Sequence, residues 1–297
     1  MAVRDDFSPG EVLTSSDLND TFAAKAPFSY GTAEPTTTVE GFIWFDENDD
    51  PATPKYWDGS EFVPFPSGAG DAVISSPAAT GQYTDTGVTY DYYTFTSSGT
   101  LTVDTAGFAD VLVVAGGGGS RTGDTYIAGG GAGGMLELTD AYLPAGSLTV
   151  TVGAGGSASS TRNAANRGND SLLGAFVAVG GGGGGSSAVN GFQRSGDSGG
   201  SGSGASSGTD PQPGKGVTNQ GNLGGGVTSG FGAGGGAGGA ASGGTAGVGK
   251  GSSITGSSVT YAKGGASSGT NTANTGDGGQ GDNSGNSGVV IVRVRTN

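Results

Sequence analysis

Asp85, Asp91, Asp104, Asp110, Asp124, Glu137 and Asp140 crowd into one stretch of the chain and are the groups best suited to acid–base chemistry. Two carboxylates held roughly 5–9.5 Å apart would cleave a glycosidic bond. None of these acids falls in a strand-end constellation with aromatic sugar platforms, so they read as surface and turn residues. Asp46, Asn48 and Asp50 copy the first half of a calcium loop, but Pro51 stands where its glycine belongs and Trp57 where its closing glutamate belongs. Gly244 to Lys250 nearly spells a phosphate-binding loop, yet Gly251 replaces the Ser or Thr that would hold magnesium. No apolar strand precedes that stretch and no helical pattern follows it. Histidine and cysteine are both absent, which removes thiolate zinc sites, cysteine nucleophiles and histidine-based acid–base schemes. The expectation is no catalytic residue, no metal and no cofactor; a glycan-cleaving protein is the enzymatic alternative.

Recognition is the better use of the side chains available. Arg121 and Tyr126 lie in one small-residue excursion, Arg162, Asn163 and Arg167 in a second, and Phe192, Gln193 and Arg194 in a third. Arg and aromatic residues supply contact area and directed hydrogen bonds at modest entropic cost. Loops carried by a rigid scaffold are where such contacts usually reside. These eight are the candidate contact residues.

A scaffold must therefore position them. Of 67 glycines, ten precede residue 111 and 57 lie from Gly116 onward, so two architectures share the 297 residues. The net charge of −14 argues against a phosphate-neutralising surface, so no nucleic-acid partner is expected. No apolar h-region opens the chain and no run of ~18 apolar residues occurs, so neither a signal peptide nor membrane insertion is expected.

Residues 1–29 hold the one helical pattern. Thr14 caps it with Asp17 three residues on, Leu13 and Leu18 are spaced as a hydrophobic staple, and Leu18 with Phe22 forms a short stripe. A helix this short needs a partner, which makes Leu13, Leu18 and Phe22 candidate anchor residues. Residues 30–66 read as a small aromatic β-module: a strand through Trp44, then a hairpin around Asp58-Gly59. Residues 67–82 read as a linker, and 83–297 as the glycine-rich distal domain. Within it Val111–Ala115 is a continuous apolar run, the pattern of a strand buried on both faces. Similar runs recur at 148–152, 176–179 and 289–294.

Residues 180–250 contain 30 glycines in 71, a composition that a flexible linker would also have. Single apolar residues interrupt the tract at Phe192, Val217, Leu223, Val227, Phe231 and Val248, which a spacer does not need. The alternative is a packed array of extended three-residue-per-turn helices, joined by main-chain hydrogen bonds because every backbone group requires a partner. Gly232, Gly235, Gly238, Ala241, Gly244 and Gly247 follow the required spacing. The fold class expected is mainly β: a short N-terminal helix, a small aromatic β-hairpin module, then β-sandwich-like strands framing glycine-rich loops or polyglycine-II helices.

Val111-Leu-Val-Val-Ala-Gly-Gly-Gly-Gly119, Leu148-Thr-Val-Thr-Val-Gly-Ala-Gly-Gly156, Ser252 to Ala262 and the closing Ser287 to Arg293 together resemble the glycine-rich domain of phage tail and adhesin proteins. The likeness covers roughly residues 90–295. Gly41 to Asp46 with Tyr56 to Gly59 is similar to a small module of phage fibre proteins, and Ser8 to Leu13 with Asp17 to Asn19 is similar to fibre N-termini. The resemblance implies a non-enzymatic virion component, a tail fibre or minor tail protein, assembled in the host cytoplasm as a homotrimer. It implies tail or baseplate partners at the N-terminus and a host-surface glycan or outer protein at the distal domain. A purely structural fibre or decoration subunit is the alternative within the same class.

Overall fold

The computed structural model describes residues 28–35, 43–46, 48, 53–57, 60–64, 70–123, 126–160, 163–186, 195–206, 212–228, 230–269 and 271–296. The helix expected near residue 14, with Leu13, Leu18 and Phe22, lies outside them. The chain divides into two compact units, Met1–Gly68 and Ala69–Asn297. The described residues are mainly β and contain no helix.

The first unit holds one four-stranded sheet: β1 (Phe28–Gly31), β2 (Ile43–Asp46), β3 (Thr53–Trp57) and β4 (Phe62–Pro64), in that order. β3 and β4 form the hairpin expected around Asp58-Gly59, with Trp57 opposite Phe62. Trp44 is buried. Phe62 meets it edge-on at 5.5 Å, and Lys55 Nζ lies 5.1 Å from its ring centre. An edge contact sets the positive rim of one ring against the negative face of the other.

The second unit is built on two five-stranded sheets. The first contains β6 (Gly81–Asp85), β7 (Val88–Phe95), β9 (Gly107–Val114), β12 (Met135–Leu143) and β19 (Val289–Thr296), in the order β12-β9-β19-β7-β6. The second contains β5 (Val73–Ser76), β8 (Gly99–Thr105), β13 (Gly146–Thr151), β14 (Ser171–Leu173) and β15 (Phe176–Ala178), in the order β15-β14-β13-β8-β5. All of β5 and the start of β6 fall where a linker was expected. Both are edge strands with largely exposed side chains, and an edge strand with few apolar residues has the composition of a linker.

The apolar runs explain the core. Because strand side chains alternate, Val111 and Val113 enter one cluster while Leu112 and Val114 enter another. Strand β19 divides likewise, with Val290, Val292 and Val294 on one side and Val289 and Ile291 on the other. The first cluster also takes Leu101, Val103, Val150 and Leu173 from the second sheet. The second is closed by Ile254 and Tyr261, from the hairpin of β17 (Lys250–Ser252) and β18 (Val259–Tyr261). The first sheet is thus buried on both faces over this region, as the run Val111–Ala115 predicts.

Strand β9 passes directly into glycine-rich segment 115–120, and the bonds there change character. The amides of Ala115 and Gly118 donate to the carbonyls of Gly134 and Gly131. Those of Gly116 and Gly119 donate to Asn169 and Asn166, and those of Gly117 and Ser120 to Asn286 and Asn283. Three directions recur every third residue, the geometry of an extended three-residue helix. The same segment accepts bonds from Gly156 and Ser159, from Gly181 and Gly184, and from Gly279. Six other segments therefore surround it. Segment 129–134 shows the same pattern: Gly129 and Ala132 donate to Gly232 and Gly235, Gly130 and Gly133 to Gly279 and Gly276, and Gly131 and Gly134 to Gly182 and Val179.

At the closest approaches these contacts need glycine. A Cβ at Gly118 would lie 2.1 Å from the Gly182 carbonyl oxygen, closer than real Cβ atoms come. The period expected over Gly232 to Gly247 holds only in part. Gly232 and Gly235 serve one neighbour, but the Gly236 amide turns back to the Gly239 carbonyl, and Ser242 and Thr245 pair with each other. Two turns therefore break the single helix that the spacing suggested.

Candidate functional site

At about 3.1 Å per residue, segment 115–120 carries the chain roughly 15 Å beyond the end of β9. There it meets a three-stranded sheet of β10 (Arg121–Gly123), β11 (Tyr126–Ala128) and β16 (Phe231–Gly232). Arg121 also bridges Ser159. The Ser120 amide and hydroxyl both donate to the Asn283 carbonyl, at 3.2 and 2.7 Å. Main-chain bonds thus bring four distant parts of the sequence together at the end of the array away from the sheets.

The expected contact residues meet different fates there. Arg121 is fully buried, with 0% of its surface exposed. As a surface contact in this chain it is corrected, because its side chain is enclosed within the fold. Tyr126 occupies β11 opposite Gly123. Asn163 is exposed. Arg167 is exposed and its Nε lies 3.4 Å from an Asp197 carboxylate oxygen, with both side chains about half-exposed. Arg162, Phe192, Gln193 and Arg194 lie outside the described residues. The structure thus joins Arg167 to Asp197, a partner thirty residues on in sequence.

Several of the groups weighed for chemistry have partners within the fold. Asp91 accepts from Gln82 at 2.8 Å and Asp104 from Ser75 at 2.7 Å. Glu137 lies 3.4 Å from Lys250. Asn48 of the calcium-like stretch donates to the Thr32 carbonyl at 2.8 Å. Gly244 to Gly249 belongs to the glycine array, where the Gly247 amide donates to Gly234, and Lys250 opens β17. No cluster of three or more metal-binding side chains occurs among the described residues.

One polar network was not anticipated. Asp110 accepts from Arg293 Nε at 2.9 Å and forms an ion pair with the same guanidinium. Arg293 also donates to the Tyr83 hydroxyl and lies 4.7 Å from the centre of the Tyr90 ring. Tyr83 and Tyr90 are paired across β6 and β7 and stack at 5.3 Å. Burial opposes the charge on Arg293, but its bonds to Asp110 and Tyr83 outweigh that and raise its pKa. The signal was present in the sequence as an arginine inside the run Val289 to Val294. A cavity of about 220 Å³ opens beside this network.

Residues 95–295 match the glycine-rich domain family. The chain belongs to it. The match spans 201 of the 297 residues, from the last residue of β7 to the penultimate residue of β19. The glycine-rich domain therefore includes the array and most of the strands that frame it. Comparison with curated proteins finds no match.

Proposed function

We propose that this chain is a virion protein, a phage tail fibre or tail-tip component, whose glycine-rich domain attaches the particle to the host surface without catalysis. On this reading the N-terminal residues Leu13, Leu18 and Phe22 anchor it to tail proteins, three copies associate, and a β-sandwich-like base carries a bundle of polyglycine-II helices. The supporting observation is the main-chain array itself. Its main-chain bonds join distant parts of the sequence at one end. Surfaces of that kind vary in sequence without loss of frame and suit recognition. The resemblance of residues 41–59 and of the N-terminus to fibre proteins supplies the virion setting.

The test uses intact particles carrying either Phe192→Ser with Arg194→Ser, or Asn163→Ala with Arg167→Ala. Recognition anchors commonly contribute more than 1 kcal/mol each. Adsorption to host cells is expected to fall about tenfold or more while particle yield stays constant. Unchanged adsorption in both would favour a purely structural subunit and overturn the proposal.

A further inference from the structure

We infer that the cavity beside Asp110 and Glu137 is a binding site for one uncharged, hydroxyl-rich ring, a monosaccharide unit. Asp110, Glu137 and Arg293 project from the first sheet on the face that Leu112, Met135 and Ile291 occupy further along the same strands. Side-chain alternation puts them there, two residues from those apolar neighbours on β9, β12 and β19. The roof is the turn after β17, through Ser253 and Ile254. Gly256 holds that turn down: its φ is +84°, and a Cβ there would lie 2.7 Å from the Tyr83 ring.

Charge selects the ligand class. Each carboxylate at the cavity already has a cation, Asp110 in Arg293 and Glu137 in Lys250 at 3.4 Å. The set is neutral and offers no net attraction to an ion of either sign. What it offers is hydrogen bonding. Asp110 is occupied on both oxygens, since Oδ1 accepts the Asp140 amide at 3.1 Å and Oδ2 takes Arg293. Glu137 meets Lys250 through Oε2, which leaves Oε1 to accept. Thr139 and Ser253 line the same space, and their hydroxyls make no hydrogen bond among the described residues. One carboxylate oxygen beside two hydroxyls matches neighbouring hydroxyls on a ring, and Ile254 supplies an apolar surface for its C–H face.

At about 30 Å³ per water, 220 Å³ is the space of about seven waters, enough for one ring. The site lies beside the β-sheets, so it stands whether or not the far-end turns contact a cell.

The experiment titrates the full chain with the methyl glycosides of glucose, galactose, mannose and N-acetylglucosamine, read by saturation-transfer NMR. At least one is expected to bind saturably with a Kd on the order of 1 mM, uncompeted by calcium or inorganic phosphate. Glu137→Ala should weaken it tenfold or more and Thr139→Val several-fold, with the melting temperature near that of the parent. Thr139→Val alone decides if Glu137→Ala does not fold. The inference is overturned if no glycoside binds, if the ions compete, or if a folded Glu137→Ala and Thr139→Val bind as the parent does.

Discussion

The amide of Gly118 donates to the carbonyl of Gly131 at 2.9 Å, and three residues earlier Ala115 does the same to Gly134 at 3.0 Å. The donors ascend as the acceptors descend, so the two segments are antiparallel. Each amide between them points to a different neighbour. The stability of the array therefore rests on main-chain pairing, with glycine where the segments approach most closely.

Replacing Gly118 with alanine tests that directly. The new methyl would meet the Gly182 carbonyl at 2.1 Å, with backbone on the far side that cannot swing away. Overpacking of this kind costs roughly 1–3 kcal/mol, and the contact belongs at the upper end. A loss of at least about 4 °C in thermal melting is expected for a unit of this size. Gly226→Ala is the control, since nothing lies within 4 Å of its Cβ position. It should melt within about 2 °C of the parent. Equal effects at the two sites would show that the array is not close-packed.

The Asp110–Arg293 pair offers a second measurement. Both side chains are about one-fifth exposed, so removing one partner strands a charge that water only partly reaches. Asp110→Asn should cost about 2 kcal/mol, below the ~3–5 of a fully buried pair. In a double-mutant cycle with Arg293→Met the two losses should not add. Additive losses would mean that the residues act independently.

Alkaline pH gives a third. Burial, then Asp91, raises the pKa of Tyr93 above 10.0. Burial, then Glu137, does the same for Tyr261. The folded state holds these protons more tightly than the unfolded one, so their stabilising effect is complete below pH 10 and declines as pH rises beyond it. Melting temperature should fall above that point, with tyrosinate absorbance from the two residues appearing only as the protein unfolds. Early ionisation of both in a folded protein would contradict their burial.

Much of the β framework was legible because strand burial leaves a period in the sequence. Val111 to Val114 is apolar at every position since each face of β9 meets a cluster. Strand β5 and the first residues of β6 overlap the expected linker because edge position relaxes that demand. Three-residue spacing was visible at Gly232 and Gly235, but the turns at 236–239 and 242–245 were not, since the same small residues serve turn and helix alike. Arg121 differs from its expected place in solvent: a long side chain amid glycines suggests projection outward, and its burial depends on tertiary packing that the sequence does not show. The pairing of Arg167 with Asp197 is not legible in the sequence, because it depends on how segments thirty residues apart pack.

The three-way alternation of partners along segment 115–120 has a consequence for how such a chain can change length. Inserting one residue would rotate everything after it by a third of a turn, sending each amide toward the wrong neighbour and breaking every later bond at once. Three inserted residues restore the facing of each group and simply lengthen the rod. Within the segments, growth or loss should come in triplets, whereas the bends between them are free to vary by any number.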